Sequence, residues 1–279
     1  MSTFANTVRA VALVLVPAVA APDESRAVAA APSLMMGSAW YPEQWPQVRW
    51  DQDLALMEAA HMNVVRVGEF AWSTLEPQEG RFEFDWLERA IAQAARHHIR
   101  VVLGTPSAAP PAWLTSRYPD TLRVDEDGRT EEHGNRQQFS FSSPRYRTLA
   151  RRIAEKMAIR FGHDPNVIGW QIDNEIQPPS FDAVTKEQFH RWLQQKYRRI
   201  QELNRHWSTA YWSEAYDDFA EVPLHSKNQN PGLLLDFKHF VTDTWLSYVE
   251  NQVQAIRPHA DARQFITTNT MHWNAGFDH

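Results

Sequence analysis

The sequence predicts an α/β fold built on parallel strands, the amino-terminal part of a (β/α)8 TIM barrel, and three observations predict it. From Leu34 onward, short apolar runs alternate with stretches of helical period, the pattern of βαβ units and a parallel sheet. Polar and aromatic residues cluster directly after the apolar runs, in Trp40-Tyr41-Pro42-Glu43, Gly68-Glu69-Phe70-Ala71-Trp72, Thr105-Pro106-Ser107 and Asp173-Asn174-Glu175. That is where a barrel of parallel strands carries its chemistry. No Gly-rich phosphate loop follows any strand, which argues against a nucleotide-binding doubly wound sheet.

Taken in order, Met35–Tyr41 is the first strand. Trp50, Leu54 and Met57 then recur at helical spacing up to Ala60. Asn63–Val67, rich in Val, is the second strand, and Leu87, Ala90, Ile91, Ala94 and Ala95 form one helical stripe before His98. Arg100–Gly104 is the third strand. Ser143-Pro144 starts a helix, Ser as cap and Pro in the first turn, which runs to about Phe161 with Tyr146, Leu149, Ile153 and Met157 as its core stripe. Val167–Ile172 is the fourth strand. Thr185 with Gln188 resembles a capping box for a helix through Leu203. A long helix spans Leu233 to Ile256, and Phe265–Asn269 is the fifth strand. Arg151-Arg152 and Arg198-Arg199 read as solvated faces. About five of the eight strands of a barrel are therefore present.

Composition narrows the function. A chain of 279 residues with 43% hydrophobic content has ample material for one large core. A net charge of −6 provides no basic footprint for nucleic acid. No cysteine is present, so neither disulfide nor thiolate metal site can form, and no cofactor is implied. His97-His98 sits at a helix end, where a solvated or cap-like histidine is the reading. The 12 Trp are divided between core and flat faces suited to sugar rings. Residues 1–32 differ in kind: Arg9 supplies positive charge, Val11 to Ala21 is apolar but too short to span a bilayer, and small residues follow. This reads as a secretory signal peptide, implying a secreted or periplasmic protein, with residues 33–279 as the barrel portion. No later segment reads as a membrane span.

Glycoside hydrolysis needs two carboxyl groups flanking the scissile bond, one of them able to donate a proton at neutral pH. Glu175, ending an apolar strand beside aromatic residues, suits the donor, and Asn174 suits a sugar hydroxyl. The runs Gly37-Ser38-Ala39-Trp40-Tyr41-Pro42-Glu43-Gln44-Trp45, Val65-Arg66-Val67-Gly68-Glu69-Phe70-Ala71-Trp72, Thr105-Pro106-Ser107-Ala108-Ala109-Pro110-Pro111-Ala112-Trp113-Leu114, Trp170-Gln171-Ile172-Asp173-Asn174-Glu175 and Asn230-Pro231-Gly232-Leu233-Leu234-Leu235-Asp236-Phe237 together resemble glycoside hydrolase family 42, the β-galactosidases. The resemblance covers residues 34–279 in family order.

It implies a (β/α)8 barrel and a retaining, two-step hydrolysis of terminal β-galactosides such as lactose or galacto-oligosaccharides. Carried over, Glu175 is the acid/base, Asn174 binds the sugar 2-hydroxyl, Arg136 binds the galactose, Trp212 walls the pocket and Arg66 lies near the nucleophile. A structural ion-pair role for Arg66 stays open. Glu69 reads as part of a polar network beneath the site rather than as a catalytic group, and Glu43 likewise is set aside. The resemblance also implies a homotrimer for the full-length protein. Two departures matter. Ser140 stands where many relatives carry the first cysteine of a zinc cluster, so no zinc is expected. The family's nucleophile, a Glu on the seventh strand, has no counterpart here, so this chain by itself is expected to be inactive and, with an open strand edge at Phe265–Asn269, poorly soluble. Two other readings stay open, a non-catalytic remnant of such an enzyme and a barrel glycosidase acting on another β-glycoside.

Overall fold

A computed structural model describes residues 34–134, 136–175, 178–224 and 230–270, with only the backbone of Trp212; the expected leader over 1–32 lies outside the described residues. The elements run β1 (Gly37–Ala39), α1 (Gln47–Ala59), β2 (Val64–Val67), α2 (Trp72–Leu75), α3 (Asp85–Arg96), β3 (Arg100–Gly104), α4 (Ala112–Arg117), α5 (Pro144–Phe161), β4 (Val167–Gln171), α6 (Ala183–Tyr197), α7 (Ile200–Trp207), α8 (Pro231–Ile256) and β5 (Phe265–Thr267). Every strand pairing is parallel, and the strands lie in sequence order β1-β2-β3-β4-β5. Sequential order without a reversal is the winding of a (β/α)8 barrel; a doubly wound sheet reverses direction at a switch point. The five strands are a partial barrel.

Period-two alternation sorts the strand residues by face. Val65, Val67, Val101, Leu103 and Trp170 are buried in the core. Arg66 and Gln171 lie on the opposite face, where their side chains bond to each other. The apolar side is covered by α3 through Leu87, Ala90, Ile91 and Ala94, and by α5 through Ile153, Ala154 and Met157. Helices α5 and α8 are tied as well as packed: Arg147 donates to the Thr244 carbonyl and Ser247 Oγ, and Arg151 to the Asn251 carbonyl.

The caps explain where helices begin. Ser143 Oγ accepts from the Tyr146 amide with Pro144 in the first turn, as the sequence predicts. The predicted capping box at Thr185 and Gln188 is not what forms. Asp182 caps α6 by accepting from the Thr185 amide, and Gln188 reaches the Ser142 carbonyl instead. Nor does one helix continue to Leu203: Arg198, at φ 65°, breaks it, and α7 starts afresh at Ile200. Arg152 is not on a solvated face, since it pairs with the fully buried Glu76. The outer strands are shorter than predicted: β1 keeps Gly37–Ala39 of Met35–Tyr41, with the Met36 carbonyl and the Trp40 amide still bonded to the backbone of Asn63 and Arg66, and β5 keeps Phe265–Thr267 of Phe265–Asn269. Phe265 on β5, which pairs only with β4 among the described residues, is half-exposed.

Candidate active site

The carboxyl ends of β2, β3, β4 and β5 bring polar side chains to one place. Gly104, ending β3, lets the chains approach. A Cβ there would stand 2.6 Å from the Glu69 Cβ, so a larger residue would push Glu69 off its position. Glu69 is fully buried, and its Oε1 accepts from Arg66 Nε at 2.8 Å, with Arg66 Nη2 also 2.8 Å away in the same ion pair. Among the described residues no hydrogen bond of ordinary geometry reaches its Oε2, although the Tyr41 hydroxyl lies close enough to the carboxylate to interact with it. The sequence reading of Glu69 as network rather than catalyst fits the bonded oxygen and leaves the other unaccounted for. Glu43, on the turn after β1, also leaves its buried Oε2 unpaired. Burial pushes the Glu43 carboxyl up to about 7; its own backbone N–H opposes this and the charge of Glu69 adds to it. Tyr41, stacked on Phe70 at 6.0 Å, is raised above its usual range by burial first and by the Glu69 charge second.

After β4 the backbone turns sharply. Asp173 and Glu175 both have left-handed φ, 56° and 61°, a conformation that non-glycine residues hold only where their surroundings enforce it. The enforcement is visible. The Asp173 amide donates to Thr105 Oγ1 at 2.8 Å. Asp173 Oδ2 accepts from Ser107 Oγ at 2.6 Å and Tyr248 Oη at 2.9 Å, and Oδ1 from the Asn174 amide at 2.7 Å. Burial pushes the Asp173 carboxyl up to about 6 in spite of these three bonds, which favour its ionised form. The Glu175 amide donates to Asn269 Oδ1 at 3.0 Å. The turn thereby points Glu175 at Arg136, whose Nη2 stands 2.8 Å from Glu175 Oε2. Arg136 also lies over the Phe70 ring, 5.8 Å from its centre.

Four of the five residues singled out in the sequence are connected here. Arg66 donates through Nη1 to Gln171 Oε1 at 2.8 Å, and Gln171 Nε2 lies 3.5 Å from Asn174 Oδ1. Asn174 adjoins Glu175, and Glu175 meets Arg136. The side chain of the fifth, Trp212, lies outside the described residues; its backbone forms a short turn of helix, Tyr211–Ser213. Arg66 does form an ion pair, and it reaches into the site as well. Sequence reasoning assigned no role to Gln171, Ser107, Gln137, Tyr248 or Asn269. Gln137 donates to the Asn174 carbonyl at 3.2 Å. Asn269 carries the same signal that singles out Asn174, a polar residue just past a strand. Tyr248 lies in mid-helix among apolar neighbours, and nothing in its local pattern separates it from core.

Among the described residues, no group of three or more His, Asp or Glu could hold a metal ion. The zinc implied by relatives does not fit: the chain has no cysteine, and Ser140 is fully buried with its Oγ unpaired. No helix among the described residues is long and apolar enough to cross a membrane.

Comparison with known proteins then places the chain. The model of glycoside hydrolase family 42, described as beta-galactosidase, matches residues 39–279. The chain belongs to this family. It is 44% identical over 246 residues to a β-galactosidase of Thermus thermophilus, covering 85% of this chain and 38% of that protein. It is 43% identical over 244 residues to the β-galactosidase BgaA of a Thermus species, with the same coverages. The solved structure of the β-galactosidase of Rahnella sp. R3 superposes with a TM-score of 0.85 at 34% identity, over 88% of this chain and 37% of that one. The chain spans less than two-fifths of the length of these relatives.

Proposed function

We propose that this chain contributes the acid/base half of a retaining β-galactosidase. The observation that carries the reading is the strained turn after β4, which sets Glu175 beside Arg136 at 2.8 Å with Asn174 next to it, at the carboxyl ends of the strands. In the first step the Glu175 carboxyl gives its proton to the glycosidic oxygen as the bond to the anomeric carbon breaks. A carboxylate from another strand of the complete barrel attacks that carbon and forms a glycosyl ester. In the second step the Glu175 carboxylate takes a proton from water, and the oxygen of that water displaces the ester. Asn174 contacts the sugar 2-hydroxyl, Arg136 turns from Glu175 to bind the galactose, Trp212 walls the pocket, and Arg66 orients the floor. Two features of the relatives support a terminal β-galactoside as substrate: their names and their level of identity. We further read the complete protein as exported through residues 1–32 and assembled as a homotrimer.

The test is Glu175→Ala in the full-length protein. Hydrolysis of lactose, whose leaving group needs protonation, should drop by roughly a hundredfold or more. A nitrophenyl β-galactoside, with a better leaving group, should lose less in its first step. Lactose hydrolysis at near-normal rate would remove Glu175 from the acid/base role. Turnover of xylan or glucan fragments without turnover of galactosides would replace the substrate class.

A further inference from the structure

Asn174 can contact a sugar hydroxyl in two ways, with its amide N–H2 donating or its carbonyl accepting. The network behind it chooses, because several of its members have fixed polarity. Arg66 can only donate, so the atom of Gln171 facing it at 2.8 Å must be the oxygen. The Gln171 amide nitrogen then faces the Asp173 carbonyl at 3.0 Å, an obligate acceptor, and Asn269 Oδ1 at 3.1 Å. The Glu175 backbone N–H, an obligate donor, meets that same Asn269 oxygen at 3.0 Å. Asn269 is thus fixed from two sides, and its Nδ2 is left facing Asn174 Oδ1 at 3.4 Å, with Gln171 Nε2 at 3.5 Å from the same oxygen. Two donors on Asn174 Oδ1 turn its carbonyl inward. Asn174 Nδ2 makes no hydrogen bond to a described residue, so of the two amide atoms it is the one left for a ligand.

We infer that Asn269 is a positioning residue that sets the polarity of Asn174, so that Asn174 donates to the 2-hydroxyl oxygen of the sugar and the hydroxyl hydrogen is left for an acceptor carboxylate. This rests on the reading of Asn174 as the residue at the 2-hydroxyl. One side chain performs two tasks: its oxygen holds the Glu175 amide in the left-handed turn, and its nitrogen orients the neighbouring amide.

The substitution that separates the tasks is Asn269→Asp. The aspartate keeps an oxygen for the Glu175 and Gln171 donors and turns its second oxygen on Asn174 Oδ1, acceptor against acceptor. Asn174 must then reverse its amide and present an oxygen to the sugar. The readout is the ratio of kcat/KM for a nitrophenyl β-galactoside to that for its 2-deoxy analogue, in the full-length protein. A new charge near Glu175 affects both substrates alike and cancels in the ratio. The ratio should fall by about tenfold, the size of one hydrogen bond, mainly in kcat. Asn174→Asp, which keeps the inward acceptor and removes the outward donor, should lower it equally, and the double variant no further. An unchanged ratio in N269D overturns the proposal. If N269D does not fold, a neutron structure of the wild-type protein decides the point: an Asn174 oxygen facing the pocket overturns it, an N–D2 group there supports it. Wild-type protein that hydrolyses no galactoside refutes the functional reading instead, and the neutron structure still reports the amide.

Discussion

Glu69 and Glu76 lie seven residues apart on the same loop, and both are completely buried, yet they live in opposite circumstances. Glu76 has both oxygens engaged. Oε2 accepts from Trp72 Nε1 at 2.8 Å, and Oε1 from the Gly80 amide at 2.7 Å and from Arg152. Asp236 in the helical layer is alike, with Lys196 on one oxygen and Tyr197 and Trp207 on the other. Glu69, at the carboxyl end of β2, spends one oxygen on Arg66 and, among the described residues, leaves the other without a hydrogen bond of ordinary geometry, with the Tyr41 hydroxyl nearby. A buried oxygen without a hydrogen bond costs stability and persists where the fold is not its only use. The difference teaches that carboxylates in the helical layer hold the chain together, as the fully bonded Asp173 holds the turn after β4, whereas Glu43 and Glu69 at the strand ends keep an acceptor available for something else.

Applying one isosteric change to both tests this most sharply. Glu76→Gln replaces an oxygen by N–H2 where only donors are present, so one buried donor loses its acceptor. Chemical unfolding should show a loss of about 2–4 kcal/mol. Glu69→Gln can put its N–H2 where nothing is bonded and keep its oxygen on Arg66. Its stability should stay within about 1 kcal/mol of wild type, while kcat/KM for a galactoside in the full-length protein should drop by roughly tenfold or more as Arg66 loses its charged partner. Equal stability losses in the two variants would erase the distinction.

The smallest effect concerns pH. The Glu43 carboxyl titrates at about 7 in the fold against an ordinary 4.5, so the folded state holds its proton more tightly than the unfolded state. That contribution is complete below the ordinary value and is lost as pH rises through about 7. Asp173, at about 6 against 3.8, acts in the same direction over a lower window. The thermal midpoint of the wild-type protein should therefore fall between about pH 5 and about pH 8, and Glu43→Gln should flatten the upper part of that slope. An unaltered slope would mean that Glu43 is solvated and ionised, and that only Glu69 marks the contrast.

Much of this is legible in the sequence. Alternation of strand and helix, the cap at Ser143-Pro144 and the polar clusters after each strand depend on residues near one another in sequence, and local pattern records them. The sequence by itself determined the parallel sheet and its helical cover and singled out Asn174 and Glu175, while Arg66 and Arg136 were singled out by the resemblance to the family. It misjudged the cap of α6 and the break at Arg198, because Asp182 and Thr185 offer competing caps and a left-handed residue leaves no periodic trace. Tertiary structure alone decided which polar groups meet. Arg66 bonds Gln171 across 105 positions, Tyr248 reaches Asp173 across 75, and Asn269 reaches Glu175 across 94. Hydrogen bonds are short and directional, so their partners are chosen by strand register and helix packing, and no spacing along the chain encodes that choice.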